Sequence, residues 1–186
     1  MSFDLVHIMP EQIIAFWFTE IEPKSWWKVD PDFDLKVRTR FEGVLQQAVK
    51  GELANWRAQP KGRLAEIIVL DQFSRNIYRN TPLAFAQDAI ALVLSQEAVS
   101  AGALVGLEPI ECAFILMPLM HSESKLIHEQ AQALFHEHAP KDNHDFELRH
   151  KAIIDRFGRY PHRNAILGRS STAEELEFLK QPGSGF

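Results

Sequence analysis

The sequence predicts an all-α protein, and three observations carry that prediction. Apolar residues recur at close to 3.6-residue spacing along most of the chain, proline repeatedly stands behind a capping residue where a helix would begin, and no segment reads convincingly as a strand. Ile67 to Leu70 is rich in β-branched residues but lies inside a longer helical period.

That pattern gives seven helices. Pro10 opens a first segment through Ile13, Ile14, Phe16, Trp17 and Phe18. Asp30 and Pro31 start a second, because aspartate caps free backbone N–H groups and proline is pre-organised for the first turn. That helix carries Phe33, Val37, Phe41, Val44, Leu45 and Ala48 and ends near Gly51. A third runs from about Lys61 to Tyr78, and Thr81-Pro82 opens a fourth that reaches Gly102. The fifth starts near Glu108-Pro109 and continues toward His138, with a kink expected at Pro118, which cannot donate to the preceding turn. A sixth spans roughly Asn143 to Phe157 and stops at Gly158 and Pro161. The last opens on the capping box of Thr172 and Glu175 and runs to about Gln181. The expected architecture is a compact helical array or bundle.

With 186 residues and no compositional break, the chain reads as a single domain, residues 1–186. Hydrophobic residues make up 46% and charged residues 24%, the proportions of a globular protein. A formal charge of -5 argues against nucleic acid or an anionic membrane as a partner. The lone Cys112 cannot form an internal disulfide and sits in an apolar run, as in a reducing compartment. Met1 to Met9 has no basic stretch leading into a long apolar one, so no secretory signal is read there. Cys112 to Met120 is about half the length of a membrane span, and a cytoplasmic location is expected.

Several polar residues fall where packing alone would not put them. On a continuous helix Glu123 shares the stripe of Cys112, Leu116, Leu119 and Ile127, and His121 that of Ile110, Phe114 and Met117. A carboxylate facing apolar neighbours needs a cation or hydrogen-bond donors to stay charged. Asp71 shares a face with Leu64, Ile67 and Ile68 and has Arg75 one turn on; Asp155 opposes the dipole at a helix end and so calls for a cationic partner. The windows Asp71–Asn80 and Asp155–Asn164 share the pattern D-x-F-x-R-x-x-x-R-N, which suggests two equivalent helix ends. Five of the eleven arginines lie between Arg149 and Arg169, with His150 and His162 among them. Guanidinium forks suit carboxylates and phosphates, and the loop leads into a helix N-terminus. These arginines either bind an anionic ligand or neutralise Asp71, Glu123 and Asp155 in a structural network. Nucleotide-binding glycine loops, a nucleophile elbow and a cysteine pair for zinc are missing, and His128-Glu129 leads to Gln132 where a zinc-protease helix needs histidine. No metal or cofactor is expected.

Long strings in the chain carry a family resemblance: Phe16-Trp17-Phe18, Trp26, Phe33-Asp34, Leu70 through Asn76, Ala84-Phe85-Ala86 with Asp88, Met117 through Glu123, Arg156 through Asn164, and Leu167-Gly168-Arg169. They are similar to the bacterial family catalogued as domain of unknown function 924, over nearly the whole chain. Ser74 stands where that family is expected to carry proline, and Tyr160 where it is expected to carry phenylalanine. The resemblance implies a fold similar to the tetratricopeptide-like helical superfamily and implies no activity. Its motifs coincide with the polar residues singled out above.

Three functions compete on this basis, and the first is the favoured one. The first is a binding module that holds an anionic small molecule or an acidic peptide through Asp71, Arg75, Asn76, Arg156, Arg159, Arg163, Asn164 and Arg169. The second is a hydrolase or transferase for a phosphorylated or carboxylated metabolite, with His121 or His162 as acid/base and Glu123 or Asp71 orienting it. The third is a protein-interaction module anchored by exposed Trp26, Trp27 and Trp56. The oligomeric state is not legible.

Overall fold

The computed structural model describes residues 8–185, and every regular element in them is helical. The absence of a secretory signal read from Met1 to Met9 concerns residues mostly outside that range. The α-helices are α1 (Pro10–Ala15), α2 (Pro31–Val49), α3 (Pro60–Ile68), α4 (Ser74–Ile77), α5 (Asp88–Ser100), α6 (Pro109–Met120), α7 (Lys125–His138), α8 (Lys141–Phe157) and α9 (Ala173–Leu179). A wider π-helical turn over Val69–Phe73 joins α3 to α4, so Pro60 to Ile77 is one rod. A second π turn, Phe16–Glu20, extends α1 and closes with the Ile21 N–H on the Phe16 carbonyl at 3.3 Å. No helix among the described residues is long and apolar enough to cross a membrane.

Helix α6 is the axis of the fold. Every residue from Glu111 to Met120 is buried, so this helix has no face toward water and packs against α3, α5, α7 and α8. Around it the two π turns meet. Phe73 lies 6.1 Å from Phe16 and 5.6 Å from Trp17, ring centre to ring centre, while Phe114 of α6 meets Trp17 edge-on at 5.7 Å. The Asp30 cap is present, its Oδ1 accepting from the N–H groups of Asp32 and Phe33, and so is the Thr172–Glu175 capping box.

The structure departs from the sequence reading at two connections. Thr81-Pro82 opens only a short 3-10 turn, Pro82–Ala84, and α5 begins at Asp88. The long fifth helix is two helices: Pro118 lies inside α6, and the chain turns after Met120 and restarts on the extended Ser124. The stripe that placed Glu123 among apolar residues therefore does not exist. The tryptophans also differ from expectation. Trp56 is 9% exposed and Trp26 is half-buried with its indole N–H on the Trp17 carbonyl at 2.9 Å, which leaves Trp27, 56% exposed, as the one surface anchor of the three.

Two positions test this packing with opposite signs. A Cβ on Gly62 would come within 1.8 Å of the Trp56 carbonyl oxygen, because α3 crosses the 3-10 turn Ala54–Ala58 backbone to backbone. Gly62→Ala, which gains helix propensity elsewhere, is expected to destabilise by about 2 to 3 kcal/mol in urea melts. The Ser74 hydroxyl is fully buried with no partner at the end of the π turn. Ser74→Ala is expected to stabilise by about 1 kcal/mol, since a buried hydroxyl with no bond only costs desolvation.

Candidate functional site

Asp71 sits in the π turn between α3 and α4, 1% exposed. Such turns insert one extra residue into a helix and rotate the side chains beyond it. Its carboxylate has no water to lean on and is satisfied by three side chains. Gln72 Nε2 donates to Oδ2 at 2.7 Å, Arg75 Nη1 donates to Oδ1 at 3.0 Å, and His121 Nδ1 stands 2.8 Å from Oδ1. Burial opposes ionisation of Asp71, but Arg75 and His121 overcome it and hold the carboxyl well below the usual carboxylate range.

An ionised carboxylate only accepts, so His121 carries its proton on Nδ1 and, when neutral, a lone pair on Nε2. Burial and the Arg75 charge push the His121 pKa below its ordinary value, against the pull of Asp71, which favours the neutral ring. No hydrogen bond reaches Nε2 from the described residues. The side chain is 13% exposed.

The backbone at this point is held as firmly as the ring. A helix ends with carbonyls that have no partner in the helix, and those of buried α6 cannot turn to bulk water. Three side-chain donors, two of them from far along the chain, take three successive carbonyls. Tyr160 OH donates to Met120 O at 2.5 Å, Arg163 Nη2 donates to His121 O at 3.1 Å, and His128 Nε2 donates to Ser122 O at 2.9 Å. The last bond fixes the proton of His128 on Nε2, and its Nδ1 lies 2.7 Å from Oε1 of the equally buried Glu147.

Asp88, at the start of α5, closes the cluster. Arg75 donates to both its oxygens at 2.9 and 3.1 Å, and Arg163 Nη1 donates to Oδ2 at 3.1 Å. The Arg163 guanidinium lies 4.7 Å from the Phe85 ring centre and 4.6 Å from that of Tyr160, held between two π systems. Arg163 is 5% exposed and its Nε–H has no acceptor. Two carboxylates face two guanidiniums around one neutral imidazole.

The other expected site residues form a second stretch of the same network. Glu123 takes Nη1 and Nη2 of Arg169 at 2.7 and 2.9 Å and the Tyr160 N–H at 2.7 Å. Arg169 Nε donates to Asn164, and Asn164 donates to Glu175. Glu175 holds Arg159 by two bonds of 2.7 and 2.8 Å while accepting the Thr172 N–H. Arg159 and Arg169 are thus each paired with a carboxylate of the chain itself. Arg156 pairs with Glu174 at the surface, and Asn76 donates to Asp34, away from the Asp71–His121 pair. Asp155 is partnered by Lys151 of its own helix rather than by Arg159.

The two similar windows are not structural equivalents. Asp71 is buried in a continuing rod, whereas Asp155 is exposed in the last turn before the left-handed Gly158. They do meet, through Arg75 of one and Arg163 of the other on Asp88. His162 lies 5.7 Å from the Tyr160 ring, and burial pushes its pKa down to about 4 and that of His150 down to about 3. Asp88, His128 and Glu147 were not among the expected site residues; Asp88 was visible only as a residue of the family strings. A cleft of about 710 Å³ is lined by Glu129, Gln132, His136, Glu137 and His144 of α7 and α8 and contains none of the cluster. Among the described residues no group of three or more histidine, cysteine, aspartate or glutamate side chains is placed to hold a metal ion.

Fold and site together define an all-helical protein whose polar centre is an Asp–His pair braced by two arginines. The chain belongs to the family described as bacterial protein of unknown function, domain of unknown function 924, whose model matches residues 13–183. It is similar to the solved structure of a protein of unknown function, ATU0120, from Agrobacterium tumefaciens. That similarity has 31% identity and a TM-score of 0.87, covering 92% of this chain and 96% of the other. No curated protein matches the chain.

The pKa shifts predict an acid-sensitive fold. His150 and His162 are held neutral below the ordinary histidine value, and Glu123 and Glu175 are held ionised, Glu175 down to about 2, by Arg169 and by Arg159. In every one of these the unfolded chain binds more protons as pH falls, so stability drops with acidity. Glu147, raised by burial, acts in the opposite sense, losing stability as pH rises above the ordinary glutamate range. Urea midpoints are expected to begin falling near about pH 6.5, the histidine value, and to fall further through the carboxylate range.

Proposed function

We propose that the chain is an enzyme, a hydrolase or transferase acting on a small carboxylated or phosphorylated metabolite, with His121 as the proton-transferring group and Asp71 holding its tautomer. One observation carries this reading: Asp71 engages Nδ1 at 2.8 Å and leaves Nε2 of a neutral ring without a bond, on a residue whose carbonyl is itself clamped. Capping a helix end requires no histidine at position 121, and an ion pair for Asp71 is already supplied by Arg75. An oriented imidazole with one nitrogen open is what general acid/base chemistry uses. Arg75 and Arg163 stand beside it, both paired with the carboxylates of Asp71 and Asp88, so they brace the site and leave no net positive charge there.

A binding surface built from Arg75, Arg156, Arg159, Arg163 and Arg169 loses support, because Arg156, Arg159 and Arg169 are spent on Glu174, Glu175 and Glu123. An acidic peptide as partner depended on that surface. Binding of a small anion without turnover depends only on the Asp71–His121 end, within a single domain, in the cytoplasm. Glu123 serves the site from its edge by fixing Tyr160.

A panel of phosphate and carboxylate esters should give turnover with the wild-type chain, lowered about 10²- to 10⁴-fold in His121→Asn with KM little changed, the loss expected for an acid/base group. Turnover that survives in His121→Asn, with the variant's thermal unfolding intact, would assign the chemistry elsewhere.

A further inference from the structure

The charges around His121 cancel without a ligand, and this constrains what can bind. From the α3–α4 rod come Asp71 and Arg75, from α5 Asp88, and from the turn Pro161–Arg163 comes Arg163. Their two negative and two positive charges are linked by direct bonds of 2.9 to 3.1 Å. Beyond them Glu123 is matched by Arg169, and from α7 and α8 the buried His128 and Glu147 are paired with each other at 2.7 Å. His150 of α8 and His162, the other titratable rings whose charge His121 would feel, are kept neutral by burial. A bare anion entering this neutral, largely buried environment adds an uncompensated charge.

The unfilled bonding positions point the same way. Nε2 of His121 offers a lone pair and must be met by a hydrogen. Arg163, whose Nη2 already touches the His121 carbonyl, has an Nε–H that no acceptor takes. A lone pair facing an anionic oxygen would repel it; a protonated imidazole would attract it.

We infer that this site takes up an oxyacid group, carboxylic or phosphoric, together with one proton that ends on His121 Nε2, so that the acid rather than the bare anion is what binds. The inference rests on the site reading above and goes beyond it by fixing the proton. The anion forms an ion pair with the imidazolium, whose Nδ1–H remains on Asp71, and the added negative charge is balanced by the added proton. The bound state then holds His121 as an acid, its Nε2–H directed at the oxyanion. Bound anions that neutralise a positive partner in a dry site keep it protonated well above its free value.

The test uses acetate, whose own titration lies below the window, and the intact wild-type chain at constant ionic strength. Acetate is titrated between about pH 6 and pH 8 while long-range ¹H–¹⁵N spectra of the histidine rings report the state of His121 Nε2. Affinity should fall about tenfold per pH unit, the slope for one proton taken up, and Nε2 should change from unprotonated to protonated as acetate binds. Inorganic phosphate in parallel tells a carboxyl from a phosphoryl preference by which binds more tightly at equal pH. In His121→Gln, residual acetate affinity should be independent of pH. Acetate that binds with pH-independent affinity and leaves Nε2 unprotonated overturns the proton coupling while leaving the site intact. If neither acetate nor phosphate alters His121 Nε2 at any pH, or if acetamide binds as well as acetate at pH 7, the oxyacid assignment is wrong. Each of those results is separate from the turnover assay, where loss of His121 dependence would remove the catalytic reading instead.

Discussion

Everything around the polar centre depends on how the C-terminal end of α6 is satisfied. A helix that is apolar on every side can be buried cheaply along its length, but its last carbonyls remain strong acceptors wherever they are put. Here the carbonyls of Met120, His121 and Ser122 go one each to Tyr160, Arg163 and His128. Tyr160 and Arg163 come from the loop after α8 and the 3-10 turn beyond it, and His128 from the adjoining α7, so one structural need ties the end of α6 both to the next helix and to segments far along the chain. Each charged or ring donor then needs its own partner: Arg163 finds Asp88, and His128 finds Glu147. The polar network grows outward from backbone groups that the core helix could not satisfy by itself.

Most of the helices were legible in the sequence because their signals are local. Asp30-Pro31 and Thr172 with Glu175 act within one turn, and both caps form. The break after Met120 was not legible, because nothing in Pro118 to Lys125 stops a helix; the carbonyls are diverted by side chains far downstream, Tyr160 and Arg163. The π turn at Val69–Phe73 was hidden for a similar reason, since its residues keep an unbroken apolar period while the bond pattern shifts.

At the site, the unusual position of Asp71 and the interest of His121 could be read from helical faces, although the bond that joins them could not. Pairing was the weak point. Arg159 and Asp155 are four apart and look like a pair, yet Gly158 turns the chain left-handed between them and sends Arg159 to Glu175. The density of arginine near the C-terminal end was a true signal of a charged network, but sequence does not tell which charges are answered by neighbours. His128 and Glu147 left no trace because a buried pair on two helices has no spacing to detect.

The π turn at Asp71 also bears on how this chain can change over time. One extra residue in a turn re-phases everything after it by roughly a quarter to a third of a revolution. Loss of a residue between Val69 and Phe73 would restore a plain helix and swing Arg75 away from Asp88, and Asn76 and Arg79 away from Asp34, in one step. The length of the rod from Pro60 to Ile77 is therefore tied to these pairings. Rotational phase constrains the length of this rod independently of which side chains it carries.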